Sequence, residues 1–182
     1  MNAFYSDLHN AVQQGKSISL VTAVDCLVEF SGSYDMLIAQ KAFQLDEELV
    51  PQIPSMRDFW RSLLTAKPAQ MPDLFFQDTW WAFFDPMEHP FPEGTLEKLA
   101  AEEPMILATV VAKAPSNAEL SGRKMLIDNA GTVYGSLGHS GADAAVLEVA
   151  EAVQLEGYPR LVEYTIEGED EQTIRILVEP VN

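Results

Sequence analysis

A single cysteine, Cys26, stands among 182 residues, which excludes an internal disulfide and leaves no thiolate cluster for zinc or iron–sulfur. Its place at the end of an apolar run suits a small buried hydrophobe better than a solvated, reactive thiol. Basic residues are scarce as well: 11 Lys and Arg face 28 Asp and Glu, for a formal charge of −17. A surface this acidic repels phosphate backbones and anionic headgroups, so neither nucleic acid nor membrane is an expected partner. The three histidines, His9, His89 and His139, sit in distant segments, and no metal site is expected from them. His139 and Asp143 have i, i+4 spacing, which would suit a metal only if His139 lay inside a helix. No window approaches the ~18 apolar residues of a membrane span. The first stretch, MNAFYSDLHNAVQQGK, has Asp7 and polar side chains where a signal peptide needs an apolar run. A cytoplasmic protein is the expectation.

What is present is core material: 47% of residues are hydrophobic and 21% charged, the balance of a globular chain. PMILATVVAKA is apolar without alternation, the pattern of a strand buried on both faces. RKMLID and TVYGSL flank Asn129-Ala130-Gly131 and predict a hairpin. Gly138-His139-Ser140-Gly141 leads into a helix expected over 142–155, with Ser140 as its cap and Asp143 in a capping-box position. Gly157 and Pro159 end it. RLVEYTI and TIRILVEPV, parted by the acidic EGEDEQ, predict a second hairpin, and TLEKLAAEE a short helix capped by Thr95. Gly15-Lys16-Ser17 resembles the end of a phosphate loop, but no glycine stands at position 10 and a strand pattern follows, so it is discounted.

The sequence also resembles itself. LHNAVQQGKSISLVTAV parallels LEKLAAEEPMILATVV, which sets Thr22 against Thr109. SGSYDMLIAQ parallels SGRKMLIDN. MRDFWRSLLTAKP stands where the 142–155 helix stands, and TWWAFFDPME stands where TIRILVEPVN does, Asp85-Pro86 against Glu179-Pro180. The expected architecture is therefore α+β: two tandem related units, 1–90 and 91–182, each with a mixed, largely antiparallel sheet and flanking helices. They would meet through related faces in a pseudo-two-fold arrangement and be joined near HPFPEGT. Phe59, Trp60, Phe75, Phe76, Trp80, Trp81, Phe83 and Phe84 of the first unit serve as core or supply that interface.

TVVAKAPSNAELSGRKMLIDNAGTVYGSLGHSGADAAVLEVAEAV resembles the amino-terminal domain of the XdhC/CoxI family, accessory factors of molybdenum hydroxylases such as xanthine dehydrogenase and CO dehydrogenase. The resemblance is strongest over residues 95–182. Thr109, Val110 and Val111 match the family strand, Ser116 its SAPR-like loop, and Gly122, Lys124 and Met125 its glycine and KM pair. Gly131 matches the turn; Gly135, Ser136 and Gly138 open its glycine-rich loop; Glu179 and Pro180 match the final EP. His139 and Ser140 replace a glycine pair, Gly141 replaces the family's cysteine, Glu119 replaces an arginine, and Asp143 keeps an acidic position. The dinucleotide-fold domain that usually follows in relatives is not expected here.

The resemblance implies an accessory protein, or chaperone, of molybdenum-hydroxylase maturation. It would bind the molybdenum cofactor (molybdopterin), the target hydroxylase or a related maturation protein, without catalytic residues of its own. A glycine-rich loop ahead of a helix offers backbone N–H groups and the positive end of a dipole to a phosphate. The candidate cofactor-binding residues are Lys124, Gly135, Ser136, Gly138, His139, Ser140, Gly141 and Asp143. Asp143 would compete with an anion for those donors, and the alternative is a protein-interaction scaffold in which the loop is purely structural. An enzyme acting on another nucleotide or pterin is a third class, for which no nucleophile or base is visible. A monomer with pseudo-dimeric halves and a homodimer both fit.

Overall fold

The computed structural model describes residues 3–26, 29–30, 33–34, 37–45, 48–52, 57–58, 74–77, 80–111, 119–168 and 171–181. In chain order the elements are α1 (Phe4–Gln13), β1 (Ile18–Cys26), β2 (Glu29–Phe30), β3 (Ser33–Tyr34), β4 (Leu37–Leu45), β5 (Glu48–Pro51), β6 (Leu74–Gln77) and β7 (Trp80–Asp85). Next come α2 (Thr95–Ala100), β8 (Met105–Val110), β9 (Lys124–Asp128), β10 (Val133–Gly135), α3 (Ser140–Glu156), β11 (Arg160–Ile166) and β12 (Gln172–Val181). The fold class is α+β, and every described strand pairing is antiparallel.

Ten of the strands form two five-stranded sheets, ordered β5-β4-β1-β7-β6 and β10-β9-β8-β12-β11. In each, the strand that follows a short helix is central, flanked on one side by the next long strand and on the other by a strand from later in the chain. The registers agree in detail. Thr22 lies opposite Lys41 and Leu20 opposite Asp85 in the first sheet. Thr109 lies opposite Lys124 and Leu107 opposite Glu179 in the second. Register therefore sets Lys41-Ala42-Phe43 against Lys124-Met125-Leu126, whereas the sequence match had paired Met36-Leu37-Ile38 with Met125-Leu126-Ile127. A shared MLI is a weaker guide than the cross-strand partner of a threonine.

Every residue of β8 is buried, as its unbroken apolar run predicts. Because side chains alternate along a strand, β8 serves two cores. Ile106, Ala108 and Val110 face α3, together with Met125, Ile127, Ile174, Ile176 and Val178. Met105 and Leu107, with Leu126 and Val181, face the opposite way and join Phe4, Tyr5 and Leu8 of α1, Ile18 and Leu20 of β1, Phe43 of β4 and Leu96 and Leu99 of α2. This second cluster unites the two halves; α1 packs beside α2 above it. Phe83 adds a further contact between the halves against Val111 and Leu177. The side chains of Phe59, Trp60, Phe75, Phe76, Trp80 and Trp81 lie outside the described residues, as does most of the expected helix around residues 56–68. Ser116 also falls there.

Three terminus expectations need correction. The second helix begins at Thr95, after Gly94 in the left-handed region (φ 75°), so Thr95 is its first residue and not its cap. The Thr95 hydroxyl instead donates back to the Pro92 carbonyl (2.6 Å). α3 starts at Ser140, and its cap is His139, whose Nδ1 accepts from the Gly141 N–H (3.2 Å). An imidazole nitrogen has taken the role that hydroxyl preference assigns to serine. Gly157 ends α3 in the left-handed conformation, as expected.

Candidate functional site

The glycine-rich loop between β10 and α3 is held from within. Leu137 is fully buried and anchors the loop in the core under α3. Around it, Asp143 reaches back from the first turn of the helix. Its Oδ1 accepts from the Leu137 N–H (2.8 Å) and its Oδ2 from the Ser136 hydroxyl (2.7 Å). Ser136 Oγ in turn accepts from the Gly138 N–H (3.0 Å), and His139 takes the Gly141 N–H. The amides of Leu137, Gly138 and Gly141 are thus satisfied inside the loop, one of them by the Asp143 carboxylate.

Of the eight candidate cofactor-binding residues, the structure brings Gly135, Ser136, Gly138, His139, Ser140, Gly141 and Asp143 together on this loop and helix start. Lys124 is adjacent through its backbone but directs its ammonium elsewhere. Nζ donates to Asp85 Oδ2 (2.5 Å), the Gly122 carbonyl (2.7 Å) and the His89 carbonyl (2.9 Å). An ammonium has three protons, so all of Lys124's hydrogen bonds are made within the protein. Burial holds its pKa below that of an ordinary lysine, against the opposing pull of Asp85. The charge that the sequence offered to a phosphate is a buried structural charge.

The position of Gly141, which the family resemblance sets against a cysteine, is filled by a neighbour. A Cβ there would overlap the Tyr164 hydroxyl and ring carbon, and His139 packs against the same tyrosine ring (centroids 5.4 Å apart). Tyr164 therefore occupies the space in which a cysteine side chain would stand. Gly141→Cys alone is expected to lower stability by about 1–3 kcal/mol, the usual loss on overpacking a filled site. Adding Tyr164→Ala should recover most of it, measured by thermal melts of the two variants. Equal stability of Gly141→Cys and the parent protein would show the space to be open.

Two buried ion pairs went unrecognised as such in the sequence. Lys124 of the second half meets Asp85 of the first, and Lys41 of the first meets Glu179 of the second (2.5 Å). Both acids precede a proline at the end of a strand, and both lysines lie opposite a buried threonine. The signal was present in the Asp85-Pro86 and Glu179-Pro180 match, but nothing in a single sequence says that the partner comes from the other half. The pairs differ in closure: Lys41 Nζ donates to Thr22 Oγ1 (3.0 Å) and has no carbonyl contacts like those around Lys124 among the described residues.

Residues 98–165 match the model of the XdhC and CoxI family, the family that the loop and strand motifs resemble. The matched segment runs from α2 through β8, β9, β10 and α3 into β11, so it contains the whole loop and Lys124, and stops before Glu179. No curated protein matches the chain.

Proposed function

We propose that the protein is an accessory factor of molybdenum-hydroxylase maturation that acts by contact with a protein, and that its glycine-rich loop is a structural corner. The family match over residues 98–165 supports the maturation role. The observation that carries the rest is the bonding of Asp143 and Ser136 to the loop's own amides. The residues present do not fit a phosphate-bearing pterin: the loop carboxylate repels it, Lys124 is turned away, and Tyr164 fills the cysteine position. A charge of −17 suits a partner that presents a basic face.

The same reading takes the chain as two copies of one unit. The matching strand orders, the Thr–Lys registers and the reciprocal Lys–acid exchange support it, since an isologous interface has each partner giving the other the same contact. The first copy keeps the sheet and the exchanged lysine. The second keeps, in addition, the family loop.

The experiment is purification from a cell that makes molybdenum cofactor, with a molybdenum hydroxylase co-expressed. Expected is a complex with the hydroxylase on gel filtration, and no pterin or molybdenum on the protein alone. Asp143→Ala, which frees the Leu137 N–H and Ser136, should leave the complex intact. Near-stoichiometric pterin on the unaltered protein would overturn the structural reading of the loop. Absence of any complex would overturn the contact role.

A further inference from the structure

α3 gives one face to the core and one to solvent. Ala142, Val146, Ala150 and Val153 are buried against the second sheet. On the other side Ala144, Leu147, Glu148, Glu151 and Leu155 are exposed, and at 3.6 residues per turn they share an arc of about 100°. Leu147 is 47% exposed and Leu155 79%, and the two stand about 12 Å apart along the helix axis. A leucine exposed singly needs no explanation. These two lie on one face, and Tyr158, 47% exposed, follows just past the helix end.

The charges beside the leucines have one sign. Between residues 140 and 156 stand Asp143, Glu148, Glu151 and Glu156, with no lysine or arginine. Asp143 is taken up by the loop, and Glu156 by Arg160, whose Nη2 donates to both carboxylate oxygens (2.7 Å each). Glu148 and Glu151 have no ion pair or side-chain hydrogen bond among the described residues. At i, i+3 spacing they are neighbours on the helix surface and repel each other. A second copy of the chain is a poor occupant of this face, since it would bring the same glutamates and another −17 charges. A cationic partner removes the repulsion.

We propose that the outer face of α3 is the docking surface for a basic amphipathic helix of a partner protein. Leu147 and Leu155 bury against the apolar stripe of that helix. Lysines or arginines flanking the stripe reach Glu148 and Glu151. The small side chain of Ala144 lets the two helices approach, and a ridge of side chains two turns long is matched by a second helix with the same repeat. The inference rests on the contact role proposed above, to which it gives a surface and a kind of partner.

The probe is a fluorescein-labelled peptide of leucine and lysine, about five turns long, with its leucines at i, i+3, i+4 and i+7. It is titrated into the full-length protein and followed by anisotropy. A scrambled peptide of the same composition has no apolar face. Expected is saturable binding of the first peptide, with the scrambled one weaker by roughly tenfold or more. Leu147→Gln/Leu155→Gln, which keeps charge and helix propensity, should weaken binding roughly tenfold. Glu148→Gln/Glu151→Gln, which keeps the leucines, should weaken it roughly threefold to tenfold. Glu93→Gln/Glu97→Gln removes the same charge on and beside α2, across the sheet from α3, and should leave binding unchanged. Equal binding of the scrambled peptide, binding unchanged by either α3 pair, or equal weakening by the Glu93 and Glu97 pair would each overturn the proposal. In the co-expression with a hydroxylase, Leu147→Gln/Leu155→Gln should lose the complex. A complex kept by that variant would overturn the docking face and leave the contact role standing. No complex with the parent protein, while the peptide results hold, would overturn the contact role and leave the face.

Discussion

Replacing Lys124 with methionine is expected to destabilise the protein by about 3–5 kcal/mol, because Asp85 is then left ionised and buried with no cation. The pair's side chains are 0% and 4% exposed, so solvent screening does little to soften that loss. The Asp85 carboxylate would keep one bond, from the Met87 N–H to Oδ1 (2.8 Å), which does not neutralise it. Adding Asp85→Asn removes the stranded charge while preserving that acceptor. The double variant should regain most of the stability, since replacing both members of a buried pair is often close to neutral. Chemical denaturation of the four proteins closes the cycle, and an additive result would mean that the two residues do not interact.

The same pair predicts a pH dependence. Burial lowers the folded pKa of Lys124 below its ordinary value of 10.5, with Asp85 opposing the shift. Between that lowered pKa and 10.5 the unfolded chain binds more protons than the folded one, so this group's contribution to stability rises with pH. Tyr5 acts in the other direction: its folded pKa is raised above 10.0, so the stability it contributes is lost as pH climbs beyond that value. The difference between the parent protein and Lys124→Met should therefore widen on the alkaline side and be flat near neutrality.

Much of the second half was legible because its signals are local. The unbroken run of β8, the Asn129-Ala130-Gly131 turn and the Gly157 stop each depend on neighbours a few residues away, and each is found where the sequence put it. The turn is fixed by Asp128, whose Oδ1 accepts from the Ala130 and Thr132 N–H groups. The loop was half legible. Its residues are together, and Asp143 is legible as a rival to an anion, but the direction of the Lys124 ammonium, offered in the sequence as a charge for a phosphate, is not. Where a lysine side chain points on a strand depends on which face is buried, and against what. Here the face belongs to the other half, 39 residues back at Asp85, and no local pattern reports that. The helix cap was missed for a related reason: serine is the commoner cap, but the backbone turns extended at His139 (φ −147°), and the residue in that conformation does the capping.

Gly135→Ala is the substitution that best separates a ligand loop from a structural one. Gly135 has φ +77°, where an L-residue loses roughly 1–2 kcal/mol. A Cβ there would lie 2.8 Å from the Lys124 carbonyl oxygen and against the ring of Pro92. The carbonyl belongs to the β9 backbone, held in its ladder with β8 and β10, and cannot move aside. Overpacking adds about 1–3 kcal/mol, for an expected total of about 2–5 kcal/mol. Pro92→Ala in the same protein should return the part due to the ring and leave the part due to φ, so a partial rescue is the expected outcome of the melts. Pro92 lies in the connection between the two halves, and its carbonyl takes the Thr95 hydroxyl at the start of α2. The first glycine of the loop is thus required by the junction that fits one half to the other. A glycine kept for that reason needs no phosphate to explain it. If Gly135→Ala melts with the parent protein, the close approach of Pro92 and Lys124 does not hold, and the glycine would again need a ligand as its cause.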